Sequence, residues 1–145
     1  IDGGNMDGAY CLLDGEAYLE QANRERFVIV QIEDPEPLAE LDEICQMPGL
    51  DMIFFGPADF SQGAGKPLDF SNPYIDEVRR LIAKTARKYG KFAGTVGGLG
   101  NFDALVAMGY QFISLGADVV ALADYYKKIV AGASDRPAVA YEDIP

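Results

Sequence analysis

Two acidic residues with metal-binding potential follow neighbouring apolar segments. Gln31 and Glu33 end a short apolar run that begins at Phe27, and Asp59 follows the next run, which ends at Phe55. Side chains two residues apart point to the same side of a strand. In parallel β/α folds ligands bind at the carboxyl ends of the strands, so we expect Glu33 and Asp59 to converge there. Converging carboxylates repel unless a cation lies between them, and the pair therefore predicts a divalent-metal site.

The short segment before Asp59 has a composition suited to ligand binding. Gly56, Pro57 and Ala58 connect the second apolar run to Asp59. Glycine lets a ligand approach the backbone closely, and proline stiffens the turn. We therefore expect the backbone amides of Ala58 and Asp59 to face a substrate carboxylate.

The residue types limit the choice of metal. The 145-residue sequence contains no histidine, which is the commonest general base and transition-metal ligand. Oxygen ligands remain, and these favour hard cations. We predict Mg²⁺ or Mn²⁺, and Co²⁺ and Zn²⁺ stay open because carboxylate oxygens accept several metals.

Charge and cysteine content exclude several kinds of partner. The formal net charge is −11, which argues against binding to nucleic-acid backbones or anionic membranes. No apolar run reaches the roughly 18 residues that a membrane span requires. Cys11 and Cys45 match no zinc or redox motif, and we expect reduced thiols in a cytoplasmic protein.

The elements that must position these residues alternate along the chain. Continuous apolar runs at 27–32, 52–55, 91–96 and 111–115 predict strands that are buried on both faces, as in a parallel sheet. Helical patterns precede, separate and follow them. These patterns cover 16–23, the segment from Pro35 to Pro48, the segment from Asn72 to Gly90, the segment from Asn101 to Gly109, and 118–131.

Three segments are predicted to lie outside regular elements. Residues 56–67 are rich in Gly and Pro and indicate a loop, of which 61–67 could form a lid, although Ser61 itself is expected to cap a turn. Residues 94–100 are glycine-rich but lack phosphate-loop spacing, so a mobile loop is favoured over a phosphate site. Residues 132–145 show no clear period and are predicted to be a tail or arm.

The alternation indicates one α/β domain over 1–145, with a parallel sheet and right-handed crossovers. Four strands can form a small open sheet. They can equally form half of a (β/α)8 TIM barrel, which typically needs about 250 residues.

The site residues also resemble a known family. The Gln-Ile-Glu sequence at 31–33, the spacing from Glu33 to Asp59, and the Gly-Pro-Ala-Asp-Phe-Ser sequence at 56–61 are similar to the HpcH/HpaI aldolases. These are class II, metal-dependent pyruvate aldolases of the phosphoenolpyruvate/pyruvate superfamily. The resemblance covers nearly the whole chain and implies a TIM barrel to which this chain contributes strands five to eight, the C-terminal half. The start at Ile1 without an initiator Met fits that expectation.

The resemblance implies a role for each matching residue. Glu33 and Asp59 would bind the metal, and Gln31 would be the catalytic residue that hydrogen-bonds pyruvate. The amides of Ala58 and Asp59 would hold the substrate carboxylate, and Val96 would line the pocket. The implied substrate-binding residues are Gln31, Gly56, Pro57, Ala58, Asp59 and Val96.

The implied reaction cleaves the C3–C4 bond of a 4-hydroxy-2-oxo acid. Pyruvate forms through a metal-stabilised enolate and an aldehyde departs. Family members also exchange their final helix between subunits, which implies a homo-oligomer in which residues 118–131 dock on a partner.

The chain departs from the family in its proton-transfer groups. The family's N-terminal half supplies an active-site Arg and a His, whereas this sequence has no His. Its arginines are expected before the first strand, on the long helix or in the tail, and none at a strand's C-terminal end. They are Arg24, Arg26, Arg79, Arg80, Arg87 and Arg136.

Two alternatives to the aldolase therefore stay open. One is a catalytically incomplete metal- or oxoacid-binding module, or a pseudo-enzyme subunit. The other is a citrate-lyase-β-like enzyme, although an enzyme acting on acyl-CoA esters would be expected to have a more basic surface.

Overall fold

The computed structural model describes residues 4–134. Helices and strands alternate along the chain, as the sequence predicts. Short 3₁₀ segments cover Met6–Cys11 and Glu36–Glu40. The helices and strands are α1 (Gly15–Glu25), β1 (Ile29–Ile32), α2 (Leu41–Gln46), β2 (Met52–Phe55), α3 (Pro57–Gly63), α4 (Pro73–Lys88), β3 (Phe92–Gly97), α5 (Phe102–Met108), β4 (Phe112–Leu115) and α6 (Asp118–Ser134).

The four strands form one parallel sheet in the order β1-β2-β3-β4. In this register Gln31 lies beside Phe54, and Gly94 lies beside both Phe54 and Phe112, so these side chains share one face of the sheet. All four strands end at the same edge because they are parallel. The parallel α/β fold predicted from the apolar runs is confirmed, with strand boundaries that shift by at most two residues at either end.

Helix α4 covers the other face of the sheet. Its start is fixed by Asn72, whose Oδ1 accepts a hydrogen bond from the amide of Tyr74 at 3.1 Å, and by Pro73 in the first turn. Its buried stripe packs with the outward side chains of β2 and β3 and with α2. The resulting core includes Leu41, Cys45, Ile53, Phe55, Ile75, Val78, Ile82, Ala86 and Ala93.

The face of the sheet that carries Gln31 is apolar but uncovered. Ile29, Phe92 and Phe112 are each exposed to nearly half of their surface. Helix α6 has no buried residue, and its apolar side chains Tyr125 and Ile129 are also open to solvent. Within residues 4–134, therefore, two apolar surfaces lack a covering layer.

The prediction of a loop at 56–67 is wrong for the first half of that segment, because Pro57–Gly63 forms helix α3. Proline suits the first turn of a helix, where no intrahelical acceptor exists for its missing N–H. Phe60 then packs edge-on against Phe55, with ring centroids 5.2 Å apart, and against Tyr74 at 5.8 Å. This tertiary burial outweighs the loop-forming tendency of a Gly- and Pro-rich segment.

Two other boundaries also differ from expectation. Residues 94–97 belong to β3 rather than to a mobile loop, and α6 continues to Ser134, three residues beyond its predicted end. The rest of the predicted tail, 135–145, lies outside the described residues. Across residues 4–134, no helix combines the length and hydropathy that crossing a bilayer requires.

Candidate active site

A cavity of about 440 Å³ opens at the carboxyl ends of β1, β2 and β3. Its wall combines the last part of β1, the start of α3 and the end of β3. The structure brings every predicted substrate-binding residue together on this wall. These residues are Gln31, Gly56, Pro57, Ala58, Asp59 and Val96.

Glu33 lies beside this cavity rather than on its wall. It lines a second, more open concavity of about 510 Å³, together with Asp34, Gln62 and Gly63. Asp59 borders both spaces. The two predicted metal ligands therefore face one shared concavity, and Asp59 connects that concavity to the cavity.

Gln31 links the two spaces through its side chain. Its Nε2 donates a hydrogen bond to Oε2 of Glu33. A carboxylate that accepts an amide hydrogen bond is held in one orientation, and its other oxygen stays free for a ligand. Gln31 thus positions Glu33 in addition to lining the cavity.

Gly56 makes room for this arrangement. A Cβ atom at position 56 would lie 2.7 Å from Nε2 of Gln31 and 3.2 Å from Cβ of Glu33. Any larger residue would displace the Gln31 amide from Glu33. Glycine therefore leaves room for the Gln31 side chain of β1 to approach Glu33, which follows the strand.

Helix α3 fixes the position of Asp59. The amide of Phe60 donates to the carbonyl of Gly56 at 3.1 Å, which begins the helix. The preceding amides of Ala58 and Asp59 have no acceptor within the helix, as is general for a first turn. Ala58 and Asp59 both line the cavity, and amides in the first turn of a helix carry partial positive charge.

Ser61 has the structural role that the sequence predicts. Its Oγ donates to the carbonyl of Ala58 at 2.6 Å and accepts from the amide of Leu68 at 2.8 Å. Ser61 is fully buried, so these bonds satisfy a hydroxyl that has no access to water. They connect α3 to the segment that leads to α4.

The residues present fit a hard divalent cation. Glu33 and Asp59 supply only carboxylate oxygens, the donors that Mg²⁺ and Mn²⁺ prefer. Among residues 4–134, no group of three or more His, Cys, Asp or Glu side chains is arranged to hold a metal. Mg²⁺ usually keeps several waters and binds through one or two carboxylates together with substrate oxygens, so a pair is sufficient.

Four residues on the cavity wall were not predicted from the sequence: Phe70, Arg79, Gly97 and Asn101. Arg79 lies on the long helix α4, as expected, but from there it also lines the cavity, a position that the sequence pattern did not predict. Arg79 falls within the apolar stripe of that helix, between Ile75 and Ile82. An arginine in a buried stripe was the signal that could have identified it.

The helical segment predicted from Asn101 begins one residue later, at Phe102, and the Asn101 side chain makes no capping hydrogen bond. Its Oδ1 instead accepts from the amide of Gly98 at 2.8 Å. This bond closes the turn after β3 and places Asn101 on the cavity wall.

A parallel α/β fold with a carboxylate site at its strand ends is typical of metal-dependent barrel enzymes. The family model described as HpcH/HpaI aldolase/citrate lyase matches residues 8–124. The chain belongs to this family.

Curated relatives include 2-keto-3-deoxy-L-rhamnonate aldolases. That of Klebsiella pneumoniae is 32% identical over 106 residues, which cover 72% of this chain and 40% of the relative. That of Escherichia coli K12 is 31% identical over 110 residues, which cover 75% of this chain and 41% of the relative. The chain thus spans about two fifths of the length of these relatives.

Solved structures of the family share the fold. The citrate synthase SbnG superimposes with a TM-score of 0.74 and 28% identity, over 83% of this chain and 49% of that protein. An HpcH/HpaI aldolase from Desulfitobacterium hafniense gives a TM-score of 0.74 and 25% identity, over 88% of this chain and 50% of that protein. These neighbours are TIM-barrel proteins, and this chain has their α/β fold over about half of their length.

Proposed function

We propose that this chain supplies the metal-binding half of a class II aldolase that cleaves 4-hydroxy-2-oxo acids to pyruvate and an aldehyde. The observation that carries the proposal is the cavity at the strand ends. It gathers Gln31, the 56–59 turn and Val96, and it meets the concavity of Glu33 at Asp59. Membership of an aldolase family and the similarity to sugar-acid aldolases support the same reaction class.

Different residues of this chain would bind the metal and the substrate. Glu33 and Asp59 would hold the divalent cation, which when bound supplies Lewis-acid polarisation of the substrate keto group. Gln31 keeps Glu33 oriented and offers its amide to the oxo acid. The amides of Ala58 and Asp59 would bind the substrate carboxylate, while Pro57 and Val96 would supply apolar wall beside it.

The position of this chain in the barrel is part of the proposal. Strands β1 to β4 would be strands five to eight of a (β/α)8 barrel, which is consistent with neighbours that are matched over about half of their length. The uncovered apolar face of the sheet would then be the inner face of the closed barrel.

We further propose that the protein is a homo-oligomer that exchanges α6 between subunits. Helix α6 has no buried residue, and apolar side chains such as Val119, Leu122 and Ile129 are exposed on it. It therefore has an apolar surface available for a partner.

The experiment is an assay of pyruvate release from a panel of 4-hydroxy-2-oxo acids with Mg²⁺ or Mn²⁺. We expect metal-dependent release that EDTA abolishes and that Glu33→Ala or Asp59→Ala lowers by at least about a hundredfold. Glu40→Gln is the matched control, because Glu40 is an exposed acid before α2 and should leave the rate unchanged.

Two results would contradict the proposal. Oxo-acid binding without any release of pyruvate would favour the second candidate, a metal- and oxoacid-binding module without turnover, which the lack of histidine suggests. Cleavage of citrate-type substrates instead would favour the citrate-lyase branch of the same family.

A further inference from the structure

Arg79 is a charged residue within the apolar face of α4. Its neighbours in the buried stripe are Ile75, Val78 and Ile82. Only 9% of its side chain is exposed to solvent. Burial of a guanidinium group is costly unless the group is paired and hydrogen-bonded. The position therefore calls for a balancing partner.

The partners of Arg79 only partly satisfy the charge and the hydrogen-bond donors of its guanidinium group. Its Nη1 donates to Oδ1 of Asp76 at 3.0 Å, but the Asp76 side chain is 54% exposed and so shares its charge with water. The buried Nε has no hydrogen-bond partner among residues 4–134. A guanidinium group carries five N–H donors in a planar fork, so part of that capacity is unused.

The backbone that carries Arg79 is fixed in place. The hydroxyl of Tyr110 donates to the carbonyl of Arg79 at 3.0 Å, and both groups are buried. Burial also raises the pKa of Tyr110, so the hydroxyl stays protonated and the bond persists at neutral pH. The turn of α4 that carries Arg79 is thereby tied to the start of β4.

The location of Arg79 gives the site two chemically different ends. Arg79 lines the cavity but not the concavity of Glu33, and Glu33 lines the concavity but not the cavity. Asp59 borders both. Among the described residues on the cavity wall, Arg79 is the one cation. A ligand that reaches from the carboxylate pair past Asp59 into the cavity would therefore enter the space that Arg79 lines.

We propose that Arg79 binds a second carboxylate of the substrate, so that the preferred substrates are 2-oxo acids with a negative charge at the end remote from the keto group. The planar fork of arginine matches a carboxylate and would use the buried Nε–H, which has no partner within residues 4–134. This inference rests on the proposed function, because the keto end must first be held near Glu33 and Asp59.

A matched pair of 2-oxo acids tests the proposal. 2-Oxoglutarate and 2-oxopentanoate have the same chain length and the same keto-acid end, and they differ only in a terminal carboxylate or methyl group. Binding of each is measured by isothermal titration calorimetry with Mg²⁺ present. We expect tighter binding of 2-oxoglutarate, and we expect Arg79→Met to weaken it by about tenfold to a hundredfold while 2-oxopentanoate changes by less than about twofold.

Two further variants separate a binding role from a structural one. Arg80→Met is the control, since Arg80 is the exposed neighbour on the same helix and its loss should change neither affinity. Arg79→Lys keeps the charge without the fork, and it should give an intermediate preference. Arg79→Met replaces a buried charge with an apolar side chain of similar length, a change that proteins often tolerate.

The outcomes distinguish this inference from the proposed function. Equal affinity of the wild-type protein for the two acids, or an equal loss for both in Arg79→Met, would overturn the role of Arg79 and leave the aldolase proposal standing. If neither acid binds with Mg²⁺, the role of Arg79 fails, and the pyruvate-release assay decides the aldolase proposal separately. Should Arg79→Met not fold, the wild-type preference and the Arg79→Lys variant decide the question.

Discussion

The two faces of the sheet differ in how completely they are covered. On the helix-covered face Ile53, Phe55 and Ala93 are fully buried beneath α2 and α4. On the opposite face Phe92 and Phe112 are nearly half exposed, although that face is just as apolar. Residues 4–134 thus complete one core, whereas no element among them covers the second apolar face.

The candidate site lies where the two faces meet. Gln31 projects from the uncovered face, on the side of Phe54 and Phe112. Asp59 is held from the covered face, because the next residue, Phe60, packs against Phe55 in the completed core. The covered face therefore fixes one part of the site, and the uncovered face carries the other.

Truncation of Phe60 should have the largest effect on stability. Its ring is fully buried and joins α3 to both Phe55 and Tyr74. We expect Phe60→Ala to lower the free energy of unfolding by about 3–5 kcal/mol, measured by urea denaturation. A loss below about 1 kcal/mol would show that α3 is not anchored to the covered face.

Substitution of Gly56 should act on the site more than on the fold. The new Cβ of Gly56→Ala would displace the Gln31 amide from Glu33, and the backbone φ of −100° is one that alanine accepts. We expect about a tenfold loss of affinity for a 2-oxo acid with Mg²⁺, which corresponds to about 1.4 kcal/mol. Gly98→Ala is the control, since a Cβ there meets no atom within 4 Å. Equal effects of the two variants would refute the steric account.

Truncation of Phe112 tests the uncovered face directly. Phe112 is 49% exposed in this chain, so Phe112→Ala should cost only roughly 1 kcal/mol when urea unfolding is measured on the same 145-residue chain. A cost equal to that of Phe60→Ala would break the comparison between the two faces. It would mean that another layer covers this face in solution.

Substitution of Asp42, which lies in the helix layer, should have the smallest effect on stability. Its Oδ1 accepts from Lys88 Nζ at 2.7 Å and from the Tyr89 hydroxyl at 2.6 Å, which ties α2 to the end of α4. The Lys88 and Tyr89 hydrogen bonds hold the pKa of Asp42 below its usual value of 3.8. A depressed pKa contributes stability at neutral pH that disappears as the pH falls below about 4.

We therefore expect Asp42→Asn to lower Tm slightly at pH 7, with a difference from the wild-type protein that shrinks below pH 4. Thermal unfolding followed by circular dichroism at pH 7 and at a pH below 4 measures this difference in Tm. A difference that persists or grows at low pH would contradict an ionic contribution from Asp42.

Local patterns predicted the elements that dominate the fold. Four continuous apolar runs located the strands to within two residues, and the helical pattern from Asn72 to Gly90 located α4. The strand ends also predicted that Glu33 and Asp59 would converge, and both line the open concavity beside the cavity. These features depend on short-range sequence, and parallel pairing alone brings the strand ends to one edge.

Other features depend on packing between distant segments. Helix α3 is stabilised by the contact between the rings of Phe60 and Tyr74, which lies fourteen residues further along the chain. Arg79 reaches the cavity because of how α4 lies across the sheet, which helical periodicity alone does not determine. The separation of Glu33 from the main cavity likewise follows from side-chain orientation at the strand end, which strand spacing leaves open.

Manganese binding by the carboxylate pair is the most direct test of the central claim. Electron paramagnetic resonance reports free Mn²⁺ in a titration of the wild-type protein, Glu33→Gln, Asp59→Asn and the control Glu40→Gln. We predict one Mn²⁺ per chain in the wild-type and control proteins, and at least a tenfold weaker affinity in each site variant with its circular dichroism spectrum unchanged. Undiminished Mn²⁺ binding by the folded Glu33→Gln and Asp59→Asn proteins would contradict the assignment of this site.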